Sequence, residues 1–248
     1  MHRIEVDGVP ASAQDMAGLF ANYGHFTAFQ VRGGLVRGMG CHLDRLAEGN
    51  RELYGIGLDR GWVCELVGRG LRGVGDASVR VVVFGVEEPS VLVSVREPKE
   101  AAREAQALLP VEYVRPVPHV KHLGGFERAV HHRAAGRAGF DDALLVGGGG
   151  VVVESAVANV GFFAGGEVVW ADGPWLWGTT MRLLESHVPS RREVVRLGDL
   201  GAYDGAFTAN SWGVSPVGRI GDVRYPVGEA FERLREAFEA VPWGPVAG

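Results

Sequence analysis

Lys121 is the first residue whose type could carry chemistry. It stands in Pro118-His119-Val120-Lys121-His122-Leu123-Gly124-Gly125, and the chain holds only one other lysine, Lys99, among 25 basic residues. A chain that otherwise uses arginine has kept a primary amine here. Arginine stays protonated near neutral pH and is a poor nucleophile, whereas a lysine in a pKa-lowering site can form a Schiff base. Glu154 follows the apolar run Val151–Val153 and could face a ring nitrogen of a cofactor, keeping a pyridine protonated so that it accepts electrons. Asn159 lies five residues on, at the next turn. Gly178-Thr179-Thr180 opens a helical stretch, placing free backbone N–H groups and two hydroxyls at a positive dipole end, which suits an anion. Asn210-Ser211 adds donors after a short strand, and Arg45 could pair a phosphate bidentately. Each residue also has a plain surface role: a loop lysine, a strand-end glutamate, a threonine cap, a helix ion pair.

Elements must position these groups. Residues 1–110 read as mixed α and β. Strands are expected at Met1–Val6 and at His25–Val31 with Gly34–Arg37 as a hairpin, helices at His42–Tyr54 and Gly61–Arg72, and strands at Ser78–Gly85 and Ser90–Arg96. Pro98, Pro110, Pro116 and Pro118 mark a crossover containing a strand near Val111–Arg115. Domains are therefore expected at 1–115 and 116–248, the second carrying Lys121. The second half is richer in strand: Ala143–Val146 with Val151–Glu154, Gly161–Ala164 with Glu167–Trp170, and Ala206–Ala209. Helices are expected at Gly125–Arg137, Thr179–His187 and Gly228–Ala240.

Composition excludes several classes. The 248 residues carry a formal charge of −5 and are 46% apolar, which is against a disordered chain or a charge-driven nucleic-acid binder. Two cysteines make neither a disulfide framework nor a zinc site, and no run approaches a membrane span, so a cytoplasmic protein is expected. Gly147–Gly150 reads as a hairpin turn rather than a dinucleotide fingerprint, because Val152 stands where the last glycine should be. His131-His132 lacks a second ligand cluster, so no metal is expected. Ser155 and Ser211 lack a nucleophile elbow, and Arg191-Arg192 is too short for a nucleic-acid patch.

The order of the motifs is more specific than any one of them. His42-Leu43-x-Arg45-Leu46, Lys121, Asp142-Ala143-Leu144-Leu145, Glu154, Asn159, Gly178-x-Thr180 with Arg182, and Asn210-Ser211-x-Gly213-Val214-x-Pro216-Val217 together resemble the class IV aminotransferases. These are the fold-type IV pyridoxal-phosphate enzymes: branched-chain and D-amino-acid aminotransferases and aminodeoxychorismate lyase. The likeness spans about residues 20–218. It implies an α+β fold with a small N-terminal α/β domain and a larger barrel-like C-terminal domain, in a homodimer. It implies pyridoxal 5′-phosphate as cofactor, with Lys121 forming the aldimine and shuttling the proton, and Glu154 partnering the pyridine nitrogen. Arg45, Thr179, Thr180, Asn210 and Ser211 resemble the phosphate cup and the edge where a substrate carboxylate lies. Phe126 stands where branched-chain enzymes carry tyrosine, whereas Lys121-His122-Leu123 and Phe26-Thr27 look more like the lyase, in which the Thr27 hydroxyl could aid pyruvate elimination. The expected activity is amino transfer between a small amino acid and a keto acid. The lyase is the alternative, and a non-catalytic binding protein a further one.

Overall fold

The computed structural model describes residues 3–246. The chain divides into two compact units: residues 3–99, Val120–Gly124 and 242–246 form the first, and Glu100–His119 with Gly125–Val241 the second. The passage between them thus falls at Lys99–Glu100, inside the proline-marked crossover and before the expected 115/116. Lys121 packs with the first unit, in a short return of the chain.

The first unit is one antiparallel sheet covered by helices. Its strands are β1 (Arg3–Val6), β2 (Val9–Pro10), β3 (Gly24–Arg32), β4 (Leu35–Arg37), β5 (Ala77–Phe84), β6 (Ser90–Arg96) and β16 (Trp243–Gly244), ordered β16-β4-β3-β5-β6-β1-β2. Helices α1 (Ala13–Leu19), α2 (Met39–Tyr54) and α3 (Arg60–Gly70) complete it. α2 and α3 supply Leu46, Val63, Leu66 and Val67, which pack with Phe29, Val31, Val79, Val81 and Val93 of the sheet. The strand face opposite builds a smaller cluster around Val6, Phe26, Val82, Phe84 and Leu92. β-branched residues at every second position suit this pleated, two-sided packing. The expected helices and strands of this half are present, within a few residues at their ends. Met1 and His2 of the first expected strand lie outside the described residues. α1 was not expected, although Ser12-x-x-Asp15 makes a capping box: the Ser12 N–H donates to Asp15 Oδ2 at 2.7 Å, and Ser12 Oγ accepts from the Asp15 N–H at 3.2 Å.

The second unit is a curled mixed sheet. It contains β7 (Gln106–Glu112), β8 (Asp142–Gly147), β9 (Val151–Ser155), β10 (Asn159–Ala164), β11 (Glu167–Ala171), β12 (Ser190–Glu193), β13 (Gly205–Asn210), β14 (Gly213–Ile220) and β15 (Val223–Arg224). The order is β12-β11-β10-β13-β14-β7-β8-β9, with β15 beside β14. β9 also meets the segment after β12, through a Val151–Arg196 bridge and a 2.8 Å bond from the Val152 N–H to the Val195 carbonyl. That contact brings the two ends of the strand order together. Helices α4 (Phe126–Arg137), α5 (Thr179–Glu185) and α6 (Glu229–Ala240) lie outside. Neighbouring residues of one strand enter different clusters, as the period of two requires: Phe162 packs with Leu108, Leu144 and Val217, and Phe163 with Trp170, Phe207 and the helical Met181 and Leu234. The crossover strand lies at Gln106–Glu112, before the expected 111–115. β7 and β8 are parallel neighbours joined through α4, a βαβ unit whose connection carries Lys121. β14 was not expected, and Pro216 sits in it. Pairing with β7 begins only at Val217, so Pro216 has a ladder neighbour on the β13 side alone.

Candidate functional site

Within the first unit, Lys121 is fixed by its backbone. The Phe26 N–H donates to the Lys121 carbonyl at 2.9 Å, the Leu123 N–H to the Gly24 carbonyl at 2.9 Å, and His25 and His122 form an isolated bridge. Leu123 packs into the Phe26 cluster, which anchors the segment. Gly24 has φ +146, and a Cβ there would strike the Val83 carbonyl and the Phe84 backbone, so only glycine lets the strands close at this point. The Lys121 Nζ lies 5.0 Å from the centroid of the Phe26 ring, and the Arg80 guanidinium 4.5 Å from the same ring.

β3 alternates, and the alternation separates Thr27 from Phe26. His25, Thr27 and Phe29 face α2. Thr27 is fully buried, with its hydroxyl 2.7 Å from His42 Nδ1. Next to it, His25 Nε2 lies 2.8 Å from Asn50 Oδ1, and burial pushes its pKa below the ordinary histidine value. Phe26 belongs to the opposite face, which is where Lys121 and Arg80 lie over its ring. The hydroxyl of Thr27 is therefore spent on the helix side of the sheet. Arg45 is buried on α2, and its neighbour Asp44 pairs with Arg60 of α3 at 2.6 Å.

Within the second unit, Glu154 sits in β9 opposite Leu145 of β8. Arg115 Nε donates to its Oε1 at 2.7 Å, with the two side chains 2% and 8% exposed. A second Arg115 nitrogen donates to the Pro118 carbonyl. Arg115 was not singled out in the sequence. The available signal is a lone charge in Val114-Arg115-Pro116-Val117-Pro118, a stretch without an acidic residue. After Glu154 the chain turns at once: the Ser155 N–H donates to the Ala158 carbonyl at 2.8 Å, and Ser155 Oγ accepts from the Ala158 N–H at 2.9 Å. That turn delivers Asn159, whose Nδ2 donates to the Leu176 carbonyl at 2.7 Å.

Asn159 in turn shapes the entry to α5. Gly178 is its N-cap and makes no side-chain cap bond; a Cβ on it would overlap Asn159 Oδ1. Thr179 and Thr180 are buried in the first turn, and Thr180 Oγ1 donates to the Asn210 carbonyl at 2.6 Å. Asn210 Oδ1 accepts from the Trp212 N–H at 2.8 Å, closing the turn that holds Ser211. Hydrogen bonds thus join Asn159, the α5 entry and Asn210, while Glu154 precedes Asn159 across one tight turn. Gly178→Ala is expected to break the Asn159–Leu176 bond and cost about 1–3 kcal/mol. Gly178→Ala combined with Asn159→Ala should cost less than the two changes summed, which urea unfolding of the single and double variants checks.

Among the described residues no group of three or more His, Cys, Asp or Glu side chains could hold a metal ion, and no helix is long and apolar enough to cross a membrane. His132 instead pairs with Asp142 at 2.8 Å. Each unit carries groups that suit a carbonyl cofactor with a basic ring: the first a primary amine fixed at its backbone, the second a buried carboxylate held by a guanidinium and the buried Thr179 hydroxyl at the entry to α5.

Comparison with known proteins places this chain. The profile of amino-transferase class IV matches residues 24–220, and the chain belongs to that family. Its fold is that of the fold-type IV aminotransferases. A PLP-bound hypothetical aminotransferase from Mycobacterium tuberculosis superposes with a TM-score of 0.84 at 19% identity, over 96% of this chain and 98% of that one. A fold IV transaminase from Curtobacterium pusillum gives 0.82 at 21% identity, over 97% and 99%. The 4-amino-4-deoxychorismate lyase of Pseudomonas aeruginosa gives 0.79 at 25% identity, over 94% and 97%. No curated protein matches by sequence.

Proposed function

We propose that this chain is a pyridoxal-phosphate-dependent aminotransferase that moves an amino group between a small amino acid and a keto acid. The observation that carries the reading is the buried, charge-paired carboxylate of Glu154 in a class IV chain whose crossover presents Lys121. When bound, pyridoxal phosphate supplies an electron-poor ring that stabilises negative charge developing at the substrate Cα. Lys121 Nζ is the amine that holds the cofactor and then moves the proton at that Cα. Glu154 faces the ring nitrogen, and Arg115 keeps its carboxylate in one orientation through a charged hydrogen bond. Arg45, Thr179, Thr180, Asn210 and Ser211 take the phosphate and the substrate carboxylate. Asn159 acts by shaping the turn before α5. The working form is a cytoplasmic homodimer.

A lyase reading is favoured by the likeness to the Pseudomonas enzyme, at 25% identity. Against it, the Thr27 hydroxyl that would assist elimination is turned toward His42, away from the Phe26 face on which Lys121 lies. Product analysis decides. Amino transfer that requires an added keto acid is expected. Pyruvate formed from an aminated chorismate derivative without any keto acid would replace the proposal with the lyase.

A further inference from the structure

One arginine of α4 is used by nothing described so far. Arg128 Nη1 donates to the Ala156 carbonyl at 2.9 Å, and its Nε is buried with no hydrogen-bond partner among the described residues. Ala156 is buried, and its own N–H donates to the Ala143 carbonyl of β8 at 2.9 Å. Both backbone groups of Ala156 are therefore held, and the turn that links Glu154 to Asn159 is fastened to α4 from one side and to β8 from the other. Burial, then the neighbouring Arg115 guanidinium, push the Arg128 pKa below the ordinary arginine value, while Glu154, Tyr113 and Asp142 act in the opposite sense. Glu154 thus has one guanidinium in contact, and a second is bonded to the carbonyl two residues beyond it.

Other titratable groups near this pair come from the crossover, α4 and β8. Tyr113 comes from the crossover, with its phenol pKa raised chiefly by burial and next by Glu127. Its ring lies 5.1 Å from that of His131. Asp142 comes from β8 and is paired with His132. We infer that Arg128 is a positioning residue for Glu154: it clamps the turn after β9 and, as a second guanidinium bonded two residues along from this carboxylate, limits how strongly Glu154 holds a proton on the ring nitrogen it faces. This rests on the assignment of Glu154 as the ring-nitrogen partner. Each positive neighbour offsets part of the carboxylate's negative potential, so less remains to raise the basicity of the bound ring.

The test is an absorbance titration with pH of cofactor-loaded wild type, R128Q, R128A and R128K, with the melting temperature of each cofactor-free protein. Glutamine can still donate to the Ala156 carbonyl but brings no charge, so the spectral midpoint should rise by about one pH unit. Lysine keeps the charge and should leave the midpoint near that of wild type. R128A loses clamp and charge; its midpoint should rise as in R128Q, and its dissociation constant for the cofactor about tenfold. His131 and His132 are unchanged throughout, so differences between variants report position 128. Unshifted midpoints in R128Q and R128A, with melting temperatures lowered or not, overturn the inference, as does an equal rise in R128K. Wild type that takes up no cofactor overturns the assignment of Glu154 together with this inference; uptake with unshifted midpoints overturns this inference only.

Discussion

Lys121→Ala leaves a protein with no borohydride-reducible cofactor adduct and at least about 10³-fold less turnover. On the proposed mechanism the size follows from losing two functions with one nitrogen: the covalent hold on the cofactor and the base at the substrate Cα. Lys121→Arg is expected to fail as completely, because a guanidinium keeps its proton at working pH. Lys99 is the natural control, since it is the only other lysine in the chain and lies exposed at the end of the first unit. Lys99→Arg should keep the adduct and the rate. Reduction with borohydride followed by peptide mapping separates these outcomes, and an adduct at full yield in Lys121→Ala would remove Lys121 from the mechanism.

Arg115→Met should be the most damaging change to the second unit. It leaves the Glu154 carboxylate buried without its charged partner, and breaking one side of a buried pair costs about 3–5 kcal/mol. With a urea dependence of roughly 1–3 kcal/mol per molar, the unfolding midpoint should fall by about 1 M or more. Adding Glu154→Gln to Arg115→Met should recover a large part of that loss, because an amide tolerates burial without a counter-charge better than a carboxylate. The same double variant should have no useful electron sink at the ring. Strictly additive stability losses in the two single variants and the double would show that the pair does not act as a unit.

Much of this was legible from residue type and local pattern. β-branched runs bounded by glycine and proline located most strands, helical periodicity located α2, α3, α4 and α6, and the glycine at 178 located the start of α5. Lys121 stood out because the rest of the chain prefers arginine. Other features depend on contacts remote in sequence. The ion pair of Arg115 joins the crossover to β9, and nothing beside Arg115 in the chain announces its partner. The facing of Thr27 is a question of strand phase. His25–Val31 is buried on both sides, so alternation there does not say which parity meets the helices. The packing of Lys121 with the first unit depends on backbone bonds to Gly24 and Phe26, far upstream. Arg45 shows the reverse limit: helical pattern alone permits an exposed position, and the packed structure buries it.

The first unit is not continuous in the chain. β4 pairs on one side with β3 and on the other with β16, where Trp243 sits opposite Arg37 and under its guanidinium at 4.3 Å. During translation that partner leaves the ribosome only after the whole of the second unit has been made. Until then β4 is an open edge with unpaired backbone groups, the kind of template that neighbouring nascent chains can join. Folding of this protein is therefore vectorial in an unusual sense. The unit begun first is the last to be finished, and the segment bearing Lys121 is available to it well before its edge is sealed.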